Sequence, residues 1–332
     1  MGAQSAQGAR RQADVTRAGQ RDAPIAGAAF YCASSELYFP GAVALINSLR
    51  LHGHDEPIFL LDCGLTPAHR RLLEQEATIV AGKPDTPPYL LKTIAPRLHP
   101  AETMMLIDVD MVVTKPLTPL FELASPGRVV AFENDAHRFV AEWGELLELG
   151  PTTRRPYVSS GLVVLGGELG SEVLRLWHDR QGRVDYERSY FGRDEPGYPF
   201  RFLDQDVLNA ILCTSLGSDE LAVIEQRLAA IPPFGDLRVL DEKRLRCAYP
   251  DGAEPYVIHH FERKPWLVPI YHGLYSRLLS RLWLGSDVAL PLPRELVPLR
   301  MRNGILARAE RARVDTIDVI RRYVLKRPAA AP

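Results

Sequence analysis

Met104-Met105-Leu106-Ile107-Asp108-Val109-Asp110-Met111-Val112-Val113 sets two carboxylates inside an apolar run. A short uninterrupted apolar run reads as a buried strand of a parallel sheet. Acidic side chains at its end are costly to bury unless a cation meets them. In an open α/β sheet, ligands bind beyond the carboxyl ends of the strands, where these aspartates fall. Residues two apart on a strand point to one side, so Asp108 and Asp110 can converge on one cation. Oxygen donors suit Mg2+ or Mn2+, ions usually completed by substrate phosphates. Alone, the triplet reads equally as a strand ending in a solvated Asp-x-Asp turn.

Three further stretches carry chemistry. In Leu203-Asp204-Gln205-Asp206-Val207-Leu208-Asn209-Ala210-Ile211-Leu212 the apolar residues form one helical stripe, which crowds acid and amide groups into the first turn. The helix dipole favours carboxylates there, as ordinary capping or as a rigid platform of oxygen and amide groups. Val257-Ile258-His259-His260 is a strand ending in two histidines, with Lys264-Pro265-Trp266 close behind. His260 can join the aspartates on a metal while Lys264 meets phosphate. Tyr157-Val158-Ser159-Ser160-Gly161 places small residues before the apolar run Leu162 to Gly166. A turn of small side chains lets backbone approach a ligand, or is only a tight turn. Lys92 is a single cation upstream of the aspartates, and a solvated surface lysine is its commoner reading.

The elements that must position these groups alternate. Strands are expected at 27–33, 57–61, 78–80 and 128–132, and helices at 38–51, 67–77, 90–98, 137–149 and 171–180. A short helix should begin at Thr114. Alternation of this kind argues for βαβ units and a mostly parallel sheet. The first turn lacks Gly-x-Gly-x-x-Gly, so the dinucleotide fingerprint is absent. Residues 185–200 form an irregular loop whose aromatics serve as anchors or as a sugar-stacking lid. Strands follow at 221–225 and within 239–249.

Bulk properties narrow the class. The 40 Lys and Arg against 41 Asp and Glu leave no global case for nucleic-acid binding. Cys32, Cys63, Cys213 and Cys247 are scattered, as expected of free thiols in a reducing compartment. No apolar run is long enough to span a bilayer, and the start has no secretory signal, so a cytoplasmic protein is expected. Residues 1–24 are poor in large apolar side chains and read as a disordered leader. From Arg294 onward, ten Lys and Arg face four Asp and Glu. Residues 305–325 read as a basic amphipathic helix that is solvated, packs on a partner, or lies on an anionic membrane surface.

Together these motifs resemble the retaining glycosyltransferases of family 8, over roughly residues 27 to 270. The segment 106–113 is similar to the family's Asp-x-Asp strand, and 204–209 to its Asp-Gln-Asp-x-Leu-Asn helix start. His260-Phe261 with Lys264-Pro265-Trp266 is similar to its His-Phe…Lys-Pro-Trp segment. Tyr38 with Gly41-Ala42 and Ser48-Leu49 resembles its first nucleotide-binding turn and helix. The resemblance implies an α/β fold of the GT-A type, with a leader (1–24), a catalytic domain (25–285) and a basic helical extension (286–332). It implies a nucleotide-sugar donor, a UDP-hexose in the first instance, and Mn2+ or Mg2+. On that basis Asp108, Asp110 and His260 hold the metal, with His259 as the alternative ligand. Asp108 also meets the donor ribose, and Lys264 holds the diphosphate. Ala33, Ser35 and Tyr38 border the base, Val109 lies in the donor-binding turn, and Lys92 stands where the family has an arginine. Ser159, Ser160 and Gly161 line the donor sugar, with Asp204 and Gln205 as the catalytic pair. The family's Asn-Ala/Ser-Gly is Ser159-Ser160-Gly161 here, Ser35 replaces an acidic residue, and Glu262 replaces a glycine.

The mechanism so implied is electrostatic stabilisation of a departing diphosphate, with attack from the same face. Double displacement through Asp204 or Asp206 is the rival. A haloacid dehalogenase-type phosphatase using Asp108 and Asp110, and a degenerate sugar-nucleotide-binding domain, are the alternative readings. The acceptor, whether saccharide, lipid-linked or small molecule, is not legible, and a homodimer is left open.

Overall fold

The computed structural model of the chain describes residues 27–83, 88–261, 264–268 and 273–323. The expected leader at 1–24 and Glu262 lie outside them.

The chain opens as predicted. Strand β1 (Ala28–Ser34) leads through a loop to helix α1 (Phe39–Leu51), then β2 (Ile58–Asp62), α2 (Pro67–Leu73) and β3 (Thr78–Ala81). Thr66 caps α2, accepting from the His69 N–H, and Pro67 takes the first helical position, where its missing N–H costs nothing. The helix expected over 90–98 is two short pieces, α3 (Pro88–Leu91) and α4 (Ile94–Leu98). Pro96 has no N–H for a continuous helix but is tolerated in the first turn of a new one. The break falls at Lys92 and Thr93 and turns both inward.

After β4 (Thr103–Ile107) the apolar run is not one strand. It breaks at Asp108, and β5 (Met111–Val113) leaves for a second sheet. The short helix starts later than expected, as α5 (Thr118–Ala124), followed by β6 (Val129–Glu133). Of the helix expected over 137–149 only α6 (Trp143–Leu146) forms. His137 and Glu148 adopt positive φ, and Leu149 N–H turns back to the Gly144 carbonyl at 2.7 Å, so the segment is a folded loop. Next come β7 (Val158–Gly166), α7 (Gly167–Gln181), α8 (Asp204–Ser215) and β8 (Leu221–Ile224). Ser159, Ser160 and Gly161 lie within β7 and not in a turn before it. Four short strands follow: β9 (Ala229–Ala230), β10 (Arg238–Asp241), β11 (Arg246–Ala248) and β12 (Val257–His259). Helices α9 (Gly273–Leu284) and α10 (Ile305–Tyr323) close the described chain.

The main sheet has the order β3-β2-β1-β4-β7-β6-β8. Its pairs are parallel except that β7 runs against both β4 and β6. Along β1, Phe30 and Cys32 join one apolar cluster while Tyr31 and Ala33 join another, so both faces of the sheet are covered. A three-stranded sheet, β5-β12-β9, shares an apolar cluster with it, and β10 pairs with β11 in a two-stranded one.

The boundary expected at 285 falls inside this core. Leu290, Leu292, Val297 and Met301 are buried in the same cluster as α1. Buried Asn47 donates to the Leu282 and Leu290 carbonyls at 2.9 and 2.8 Å and accepts from the Leu290 N–H at 2.8 Å. All four cysteines are free and buried.

Candidate active site

The carboxyl ends of β1 and β4 and the start of antiparallel β7 meet at one edge of the main sheet. Ile107 pairs with Leu162, and Asp108 N–H donates to the Gly161 carbonyl at 2.8 Å. The chain then turns through Val109 and Asp110 into β5, whose Met111 pairs with His259 of β12. This register delivers a residue from late in the chain to the aspartates.

The residue delivered is His259. Ligating atoms of Asp108, Asp110 and His259 all lie within 4.8 Å of one another, and His259 Nε2 is 3.3 Å from Asp110 Oδ1. His260, expected as the ligand, faces the other way. Side chains alternate along a strand, so neighbours cannot share a face. The His260 ring is fully buried, 4.7 Å from the Tyr275 ring and 6.0 Å from Phe234. Of the two histidines, the geometry selects the one held as the alternative.

Gly161 makes room for this arrangement. A Cβ there would stand 2.8 Å from Met111 Cε, 2.9 Å from His259 Cε1 and 3.2 Å from Asp108 Oδ2. The glycine thus clears space for the cluster's own side chains.

Lys92 is not a surface lysine. The residue is 8% exposed, and its ammonium sits between two carboxylates: Asp108 Oδ1 at 3.2 Å and Asp204 Oδ2 at 3.0 Å. It also donates to the Ser160 carbonyl at 3.2 Å. Burial alone would lower its pKa, but Asp108 and Asp204 outweigh burial and hold it above the ordinary lysine value. Lys92 therefore joins the Asp-x-Asp turn to the first turn of α8.

The two aspartates titrate in opposite directions. Burial pushes Asp108 up, as does repulsion from Asp110 and Asp204, against the pull of Lys92 and His259. Burial would also raise Asp110, but His259 and Lys264 hold it well below the usual carboxylate range. Lys264 Nζ, itself buried, contacts Asp110 Oδ2 and the His260 carbonyl oxygen.

The donor set fits a hard divalent cation: two carboxylates and one imidazole, converging from a turn and a strand end. Buried Asp110 Oδ1 faces the cluster, with His259 Nε2 3.3 Å away. Asp108 keeps 36% of its side-chain surface open, which leaves it accessible to a bound molecule.

The base-side candidates gather at the same edge. Ala33 is buried at the end of β1, with Ser35 and Tyr38 half-buried in the loop beyond. Burial raises the Tyr38 hydroxyl pKa, and so do the charges of Asp110 and Asp108. Trp266 Nε1 donates to the Leu37 carbonyl at 2.9 Å, bringing the Lys-Pro-Trp segment onto this loop.

Gln205 reaches back to β7. Its Oε1 accepts from the Ser160 N–H at 3.2 Å and its Nε2 donates to Tyr157 Oη at 3.0 Å. Ser159 Oγ accepts from the Gly161 N–H at 3.2 Å. Asp206 is fully buried and fully used: Oδ1 accepts from Tyr157 Oη at 2.7 Å and Arg138 Nε at 3.1 Å, and Oδ2 from the Phe202 N–H at 2.8 Å. Tyr157 and Arg138 were not expected in this network. Tyr157 opens the small-residue stretch singled out in the sequence, but no local signal joins it or Arg138 to Asp206, which lies 49 and 68 residues away.

No known family model and no curated protein matches the sequence. The structure is similar to solved ones. It superposes on the galactosyltransferase LgtC in complex with donor and acceptor sugar analogs with a TM-score of 0.51 at 14% identity, covering 80% of this chain and 98% of that one. An active-site mutant of LgtC gives 0.50 at 15% identity with the same coverage. The fold is thus the GT-A α/β architecture implied by the resemblance, with a mixed, mostly parallel central sheet. A haloacid dehalogenase-type phosphatase has no support from it. Among the described residues, no helix is long and apolar enough to cross a membrane.

Proposed function

We propose that this chain is a metal-dependent, retaining hexosyltransferase of family 8 that takes a sugar from a nucleoside-diphosphate donor, UDP-hexose in the first instance. The observation that carries the reading is the Asp108, Asp110 and His259 cluster at the carboxyl edge of a GT-A sheet. The solved LgtC complex with donor and acceptor sugar analogs supports it at the level of fold.

Asp108, Asp110 and His259 would hold Mn2+ or Mg2+. When bound, such an ion neutralises charge on the leaving diphosphate. Lys264 moves from Asp110 to a donor phosphate, keeping a charge-assisted contact in both states. Ala33, Ser35 and Tyr38 border the base, and Asp108 with Val109 meets the ribose. Lys92 and Ser159 to Gly161 form the floor beneath the donor sugar, and Asp204 holds Lys92 in place. Gln205 faces the anomeric carbon. Every oxygen of Asp206 is engaged and none of its surface is open, which favours same-face attack over a glycosyl-aspartate at that position.

The test is a thermal-shift screen of nucleotide-sugars with and without Mn2+, followed by a transfer assay on the donor that binds. Metal-dependent stabilisation by one UDP-hexose, together with transfer, is the expected result. A chain that no nucleotide-sugar stabilises, with or without Mn2+, refutes the reading. Binding without transfer or hydrolysis across a wide acceptor set would select the degenerate-domain alternative.

A further inference from the structure

We propose that Tyr157, steadied by Asp206, is a positioning residue that fixes which end of the Gln205 amide meets the donor sugar. The inference rests on the donor site described above.

Counting donors and acceptors gives the chain a direction. The groups facing the Asp206 carboxylate are donors: Arg138 Nε at 3.1 Å, the Phe202 N–H at 2.8 Å and Tyr157 Oη at 2.7 Å. The Tyr157 proton is spent on Asp206, so its oxygen is left as an acceptor. Gln205 Nε2 fills that role at 3.0 Å. The other end of the amide accepts from the Ser160 N–H at 3.2 Å. A flipped amide would set donor against donor at Ser160 and place its carbonyl against a hydroxyl with no proton to give.

Two consequences follow. The Gln205 carbonyl oxygen is committed to the backbone and is not presented as a nucleophile. The amide carries a second N–H, and among the described residues no acceptor takes it. Gln205 itself is half-exposed, so the group it offers a donor sugar is an N–H. That bond recognises a hydroxyl or ring oxygen. Without the Tyr157 hydroxyl, only the long Ser160 contact holds the amide.

The test is calorimetric titration, with Mn2+ present, of UDP and of UDP-glucose or UDP-galactose, whichever binds, into the wild type, Tyr157→Phe, Gln205→Ala and the double variant. Losing one neutral hydrogen bond changes an equilibrium by about fivefold. Tyr157→Phe should therefore raise the ratio of sugar-nucleotide Kd to UDP Kd about fivefold, leaving the UDP Kd unchanged. The double variant should be no worse than Gln205→Ala, because the tyrosine acts through the amide. An unchanged ratio in Tyr157→Phe, or additive losses in the double variant, overturns the proposal. If Tyr157→Phe does not fold, 3-fluorotyrosine at 157 keeps the shape and weakens the acceptor, and must move the same ratio. A wild type that binds neither UDP nor a sugar nucleotide defeats the transferase reading itself, and this inference with it.

Discussion

Replacing Lys92 by methionine keeps most of the aliphatic stem and removes one charge from between two carboxylates. Breaking a buried ion pair costs about 3–5 kcal/mol because the surviving charge is left unpaired. Asp204 carries that penalty in full, its side chain being 6% exposed. Asp108 is 36% exposed and partly screened. Discounting for that openness, the net loss is about 2 kcal/mol. In a chain of this size, that lowers the melting midpoint by about 3 °C. The deficit should depend on pH in a definite sense. Asp108 already has a folded pKa above its unfolded value, through burial first and then its acidic neighbours, and loss of Lys92 raises it further. A raised carboxyl makes the folded state less stable as pH climbs past the unfolded value of about 4. The deficit is therefore largest at neutral pH and shrinks on acidification toward that value. Mn2+ should bind the variant more tightly than the wild type, since a competing cation has gone. Scanning calorimetry at several pH values, with and without Mn2+, reads all three effects. A Lys92→Met chain that melts with the wild type at pH 7, or whose deficit grows on acidification, would refute the bridging role.

Two other substitutions separate the site from its support. His259→Ala should weaken Mn2+ binding by at least tenfold with little loss of stability, whereas His260→Ala should cost about 3 kcal/mol of stability and leave the ion bound; titration calorimetry beside denaturant melts reads the contrast, and the reverse pattern would return the ligand role to His260. Gly161→Ala forces a methyl within 3 Å of both Met111 Cε and His259 Cε1. Met111 can yield but the imidazole cannot without leaving Asp110, so the variant should lose about 1–2 kcal/mol and show weakened Mn2+ binding, with both unchanged in a chain that contradicts the packing.

The sequence made much of the scaffold legible, because the βα alternation over the first hundred residues is a local signal. The carboxylate pair was also plain, two acids in an otherwise apolar run. What local pattern could not supply was register. Whether His259 or His260 meets Asp110 depends on how β12 pairs with β5, about 150 residues apart in sequence. Lys92 looked like a surface residue because its two carboxylate partners lie 16 and 112 positions downstream. The break of the aspartate run into β4 and β5 was hidden for a related reason. Both halves are fully buried, so their hydrophobicity is continuous while their hydrogen-bond partners belong to different sheets. The end of the core near residue 301 was missed because Leu290 and Leu292 lie in a proline-rich, irregular stretch with no helical period.

The change of sheet between Ile107 and Met111 has a mechanical meaning. Asp108 is tethered by its amide to the large sheet, while the Asp110 carbonyl accepts from the His260 N–H, anchoring that aspartate beside the small one. An ion gripping both aspartates and His259 would rivet two layers that are otherwise joined here by a three-residue turn. Occupancy and cohesion would then be one quantity, and filling the cleft would stiffen the seam on which the two layers meet.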